Sequence, residues 1–249
     1  MAVHDFRSQR LFVRESLVKD QAFEISREQA NYLLNVLRLG DGSDILVFNG
    51  RDGEWQCSIR PQGRKKCHLL PLGLSRGQPK PNSLTYCFAP LKQARLDYMV
   101  QKAVEMGVGI LQPVITQHTQ VRSMNLKRVE ANAIEAAEQC GILTIPEIRE
   151  PVSLQELPLQ LTPETTLFFC DEAHGDQISI SKEKPTGNQT IALLIGPEGG
   201  FSNQERTLIQ SWKNIKTLGL GPRILRADTA AVAALTLIQS KIGDWKESA

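Results

Sequence analysis

The chain has 249 residues, 41% hydrophobic and 22% charged, a balance that excludes disordered and fibrous classes and leaves room for one large or two modest globular domains. Its formal net charge is only +2, which excludes any argument for a nucleic-acid partner from global charge. The whole excess lies in residues 1–72, with 11 Lys plus Arg against 9 Asp plus Glu.

Short apolar runs bounded by turn residues predict strands at Arg10–Val13, Ile45–Phe48, Trp55–Ile59 and Cys67–Leu72. Between the second and third, Asn49-Gly50-Arg51-Asp52-Gly53 is rich in residues that accept positive φ, so a hairpin with a slightly long turn is expected. Ala30, Leu33, Leu34 and Leu37 fall at helical spacing and predict a helix over Arg27–Leu37. A small β-barrel carrying one short helix satisfies this pattern. Gly73–Asn82, with Gly77, Pro79 and Pro81, has no apolar period. The domain boundary is drawn there, giving 1–74 and 75–249.

Beyond the boundary, strands alternate with helices, which predicts an α/β domain with a mostly parallel sheet covered on both faces. Leu84–Ala89 is a strand, and Leu96, Met99, Val100, Ala103 and Val104 mark a helix closed by Gly107. Ile110–Ile115 follows, then a helix outlined by Leu126, Val129, Ala133, Ala136, Ala137 and Cys140 and ended by Gly141. Further strands are expected at Thr166–Cys170, Thr190–Ile195 and Ile215–Leu220, with a closing helix over Ala230–Ile242. The five cysteines form no CxxC pair and His4, His68, His118 and His174 stand apart, so neither a metal site nor a disulfide framework is expected. With no signal-like N-terminal segment and no run near 18 apolar residues, the expected compartment is the cytoplasm.

Two loops carry the chemistry. In Ile191-Ala-Leu-Leu-Ile-Gly-Pro-Glu-Gly-Gly-Phe-Ser202 a buried strand runs into glycines at 196, 199 and 200, where backbone can approach a ligand, and Ser202 with Glu205 forms a capping box. The spacing matches neither a P-loop nor a dinucleotide fingerprint. In Leu218-Gly-Leu-Gly-Pro-Arg-Ile-Leu-Arg226, Leu218, Leu220, Ile224 and Leu225 offer apolar walls, Arg226 a guanidinium, and Asp228 or Thr229 an N-cap. Both loops follow strands, where open α/β sheets place ligands. A tight connection and simple core are the bland readings of the same residues.

Together these loops and the Thr229-Ala-Ala helix resemble the RsmE family of 16S ribosomal RNA uridine-N3 methyltransferases. Lys92-x-x-Arg95-Leu-Asp97, Gln101-Lys-Ala-Val-Glu-Met-Gly-Val108, Glu135-Ala-Ala-Glu-Gln-Cys-Gly141, Arg10-Leu-Phe-Val13 and Val36-Leu-Arg38 match its other blocks in order. The resemblance implies a PUA-like barrel used on RNA, then a SPOUT domain with a trefoil knot, acting as a homodimer in ribosome biogenesis. It implies S-adenosylmethionine as methyl donor, held by Ile195, Gly196, Pro197, Gly199, Leu218, Gly219, Leu220, Ile224, Leu225, Arg226 and Thr229. Asp228, Ile142, Asn31-Tyr32 and Gln117-His118 depart from the family's pattern.

On that reading Arg226 stabilises charge on the uracil carbonyls, and Glu198 either takes the N3 proton or orients the loop. Phosphate contacts are expected from Arg10, Arg38, Arg64, Lys65, Lys66 and Arg95, and the target base must be unstacked. Two alternatives stay open: a SPOUT enzyme acting on another RNA or at a ribose 2′-hydroxyl, and an inactive RNA-binding assembly factor.

Overall fold

The computed structural model describes residues 8–63, 66–171 and 190–246; Arg64, Lys65, His4 and His174 fall outside the described residues. The chain is mixed α/β and divides into two compact units, one formed by residues up to Lys80 with Ile134–Ile145, the other by Pro81–Ala133 with the chain from Pro146 onward.

The first unit holds β1 (Arg10–Phe12), β2 (Phe23–Glu24), β3 (Asp44–Phe48), β4 (Glu54–Gln62) and β5 (Lys66–Arg76), in the order β1-β3-β4-β5-β2. Their inward residues, among them Val13, Ile45, Val47, Ile59 and Leu69, share one core with Ala30 and Leu33. The expected hairpin joins β3 to β4. Asn49 Oδ1 accepts from the amides of Arg51 and Asp52. Gly53 has φ +82, and a Cβ there would lie 2.4 Å from the Arg76 carbonyl, so only glycine fits.

Three features differ from the sequence-based expectation. β5 continues through Gly73 to Arg76, beyond the 74/75 boundary, because its ladder with β4 extends to the pairing of Glu54 with Arg76. β2, at two residues, is too short to show a period of two. The single helix expected over Arg27–Leu37 is an α-helix, α1 (Arg27–Asn31), followed by a π-turn at Tyr32–Val36. Leu37 N reaches Tyr32 O at 2.9 Å, and Arg38 ends the turn at φ 57. Leucines at 33, 34 and 37 suit either form, since apolar spacing marks a face and not a hydrogen-bond register.

The second unit contains β6 (Thr85–Phe88), α2 (Gln93–Glu105), β7 (Ile110–Ile115), the start of α3 (Leu126–Cys140), β8 (Glu147–Ile148), β9 (Val152–Ser153), β10 (Thr166–Cys170), β11 (Ile191–Ile195), α4 (Asn203–Gln210), β12 (Ile215–Leu218) and α5 (Ala227–Lys241). The sheet order is β12-β10-β11-β6-β7-β8, with β9 on β7, and all its described pairings are parallel. Ala192, Leu193, Leu194 and Ile195 are buried in succession, the mark of a parallel strand covered on both faces. One face packs Leu167, Phe169 and Leu194 against Phe201 and Ile209. Elsewhere in this unit α2 packs on α5, with Gln239 Nε2 donating to Met106 O at 2.6 Å. The sheet's C-terminal edge is where the candidate site forms.

Candidate active site

β11 and β12 flank β10. With strands about 4.8 Å apart, the loops that follow β11 and β12 leave the same sheet edge roughly 10 Å from one another. The two glycine-bearing turns are therefore neighbours.

The first turn is framed from within. Gly200 N donates to Pro197 O at 2.9 Å, and Gly200 has φ 66. Phe201 is buried and meets Phe169 edge-on at 5.1 Å. A Cβ at Gly196 would lie 2.6 Å from the Phe201 ring, so the backbone there stays bare because no other residue fits. Ser202 caps α4, its Oγ accepting from Glu205 N at 3.3 Å while Glu205 Oε2 accepts from Ser202 N at 2.8 Å, the expected capping box.

Glu205 does more than cap. It is 7% exposed, and its Oε1 accepts from Gln117 N at 2.7 Å, which fastens the turn after β11 to the turn after β7. His118, next in sequence, donates from Nδ1 to the carbonyls of Gly199 and Gly200, each at 3.1 Å; two carbonyl acceptors place the proton on that nitrogen. Thr116 and Thr119 are buried and bonded to each other at 2.8 Å, which fixes the base of this second turn. The role of Glu205 at Gln117 and that of His118 were not read from the sequence, where the only signals were the capping box and the departure from the family pattern at Gln117-His118.

The family block at 92–97 also meets this loop. Arg95 pairs with Glu198 at 3.1 Å, both partly exposed. Asp97 binds Arg128 at 2.6 Å and accepts from Asn132 and Gln93. The Arg128 hydrogen bond leads these contacts, and the Asp97 carboxyl lies below the usual aspartate range despite some burial.

In the second turn Leu218 is buried at the end of β12, Leu220 and Leu225 are half-buried, and Ile224 is 89% exposed. Gly221, at φ +95, has nothing within 4 Å of a Cβ. Arg226 is the N-cap position of α5, its carbonyl accepting from Ala230 N at 2.8 Å, so the helix starts before the Asp228 or Thr229 cap expected. The Arg226 side chain is exposed and has no partner among the described residues.

These turns suit S-adenosylmethionine. Backbone without a side chain at Gly196 and Gly221 matches a polar, hydrogen-bonding ligand, and the partly uncovered Leu220 and Leu225 match a flat apolar ring. Among the described residues no group of three metal-ligating side chains occurs.

The cations expected to meet phosphate divide sharply. Arg10 is 6% exposed, and its Nε donates to Glu54 at 3.0 Å. Arg76 shares that carboxylate and donates to Gly141 O at 2.9 Å, and the Arg10 guanidinium packs on Gly141. Arg10 is thus a buried structural cation and not a phosphate contact: a guanidinium held by a buried carboxylate has neither the access nor the freedom to meet RNA. Arg38 and Lys66 are exposed, Lys66 lying 3.6 Å from Glu24.

Residues 78–239 match the family described as RNA methyltransferase domain, and residues 25–72 match the RNA methyltransferase PUA domain. The ribosomal RNA small subunit methyltransferase E of Rickettsia conorii is 32% identical over 235 residues, 92% of this chain and 94% of that protein. Its namesake from Synechocystis is 28% identical over 93% of this chain and 77% of that protein. The crystal structure of a ribosomal RNA small subunit methyltransferase E from Neisseria gonorrhoeae, bound to S-adenosyl methionine, superposes with a TM-score of 0.85 at 27% identity, covering 96% of this chain and all 100% of that one. A methyltransferase from Legionella pneumophila, in complex with the cofactor SAM, gives a TM-score of 0.84 at 30% identity, covering 96% and 99%. The first unit is accordingly PUA-like, and the chain belongs to the RNA methyltransferase family that includes the ribosomal RNA small subunit methyltransferase E proteins.

Proposed function

We propose that the protein methylates N3 of a uridine in small-subunit ribosomal RNA, using S-adenosylmethionine. This reading is supported by the exit of the Gly196–Gly200 and Gly219–Gly221 turns from one edge of a parallel sheet, after the two strands that flank β10, in a chain whose relatives are solved with that donor. Gly196, Gly199, Gly219 and Leu220 would hold the donor, with Leu225 and Thr229 beside them. Bound there, it supplies an electrophilic methyl group.

The chain's own residues then have three tasks: alignment, exclusion of water and stabilisation of the uracil anion. Loss of the N3 proton spreads negative charge onto the flanking carbonyl oxygens, and the uncommitted guanidinium of Arg226 is suited to them. Glu198 is already held by Arg95 at 3.1 Å, which favours its orienting role over that of proton acceptor. Arg38, Lys66 and Arg95 supply phosphate contacts, which give affinity without reading sequence; Arg64 and Lys65 complete that expectation.

The same reading makes the protein a cytoplasmic homodimer. It includes the trefoil knot that the family resemblance implies.

The test is mass analysis of nucleosides from a deletion strain: 3-methyluridine should vanish from small-subunit RNA and return with the wild-type gene. Arg226→Ala should restore much less of it while keeping RNA affinity. An unchanged 3-methyluridine level in the deletion strain retires the proposal.

A further inference from the structure

Beside the donor turns lies a cavity of about 340 Å³ that the methyl-transfer reading leaves unused. Its polar lining includes Gln117, Arg122, Ser153, Gln155, Ser202 and Gln204. Ile115 and Leu208 provide its apolar part. The volume is at the low end of the roughly 300–1,000 Å³ of ligand sites. We infer that this cavity receives a ribonucleotide of the RNA substrate adjacent to the methylated uridine, an inference that rests on the reading above.

The chemistry of the lining selects the ligand. Glu205 also borders the cavity, but both its oxygens already accept backbone N–H groups, from Gln117 at 2.7 Å and Ser202 at 2.8 Å. It is not available to a cation. A free inorganic anion would use little of this lining, which offers it one cationic side chain, Arg122, among neutral amides and hydroxyls. A nucleotide matches better. Each glutamine amide carries both a donor and an acceptor, the pattern that base edges present. Ser202 Oγ accepts from Glu205 N, which leaves its proton to donate to a base or ribose oxygen. Arg122, exposed and with no partner among the described residues, suits a single phosphate.

Position points the same way. The cavity shares Ser202 with the end of the Gly196–Gly200 turn, and Gln117 precedes the His118 that donates to Gly199 and Gly200. A nucleotide seated there lies one loop away from the donor and would hold the strand unstacked, as access to N3 of the neighbouring uridine requires.

The test uses the full chain with Arg122→Gln, Arg122→Lys and Gln155→Ala, all at exposed positions where folding is retained. Affinity for transcribed small-subunit ribosomal RNA is measured across a salt series, and S-adenosylmethionine binding by calorimetry. Arg122→Gln and Gln155→Ala should each weaken RNA binding about tenfold and leave donor affinity within about twofold. Arg122→Gln alone should flatten the salt dependence, by about 0.7 in the slope of log affinity against log salt, and Arg122→Lys should restore it. RNA affinity and slope equal to wild type in all three variants overturn the inference while leaving the methyltransferase reading intact. A wild-type protein that neither binds the donor nor modifies the RNA overturns both.

Discussion

Two glutamates of the first unit show how burial and partners compete. Burial pushes the Glu54 carboxyl up, but hydrogen bonds from Arg76 and Arg10 outweigh it, and the group ends below its ordinary range. For Glu138 burial again pushes upward; the Phe12 amide, donating at 2.8 Å, offsets only part of this, and the group ends above its ordinary range. The signs for stability are opposite. Glu54 contributes stability above the ordinary glutamate value of about 4.3, lost as pH falls through its lowered folded value. Glu138 contributes stability below about 4.3, lost as pH rises through its raised folded value. Glu138→Gln keeps an acceptor for Phe12 N and removes the buried charge. The variant should unfold at higher urea than wild type at pH 7, and the two should converge below pH 4. A constant difference between these pH values would show that the charge is not what matters. None of this pairing was legible in the sequence. Arg10 was read as an RNA contact because a motif contains it, but its partner Glu54 stands 44 positions away, and residue type alone does not reveal whether a cation is spent inside the fold.

Local rules served best where they are self-contained. The capping box at Ser202 and Glu205, the Asn49 hairpin and the strand Thr166–Cys170 were all read from neighbouring residues and appear as expected. The two-residue strands β2, β8 and β9 and the π-turn at Tyr32–Val36 were missed, since each is decided by pairing or register that the apolar pattern does not encode. α4 combines both kinds of information, and this sets a prediction. Ser202→Ala removes one cap acceptor and should lower stability by about 1 kcal/mol. Glu205→Ala removes the reciprocal cap and also the acceptor of the Gln117 amide, so that two part-buried backbone N–H groups lose a charged partner, at about 1.5–3 kcal/mol for each such bond. Urea denaturation should therefore rank Glu205→Ala well below Ser202→Ala. Equal losses would mean that Glu205 only caps its own helix and that the bond to the β7 turn contributes nothing.

The organisation of the whole chain was legible as two kinds of language, short strands and then alternating strands and helices. It was not legible that residues 134–145, far into the second stretch, belong to the first unit. The apolar face of Leu126–Cys140 announces a helix and does not say which core it covers. In the structure this segment completes the barrel's hydrogen bonding. Glu138 accepts from Phe12 N, Gly141 O accepts from Arg76 at 2.9 Å, and Leu143 O accepts from Gln78 at 3.1 Å. A fragment of residues 1–80 would leave the Phe12 amide and the Arg76 and Gln78 side chains without these partners, and would uncover the face of the barrel on which Ile134 and Glu138 lie beside Leu11 and Phe12. For a unit of about this size, where net stability is only a few kcal/mol, losing three such bonds at about 0.5–1.5 kcal/mol each removes a large share of it. The fragment 1–80 alone should therefore give poorly dispersed amide resonances, and a synthetic peptide of residues 126–145 added in excess should restore dispersion. Native-like dispersion of 1–80 without the peptide would show that the barrel closes on its own and that the later segment is only laid against it.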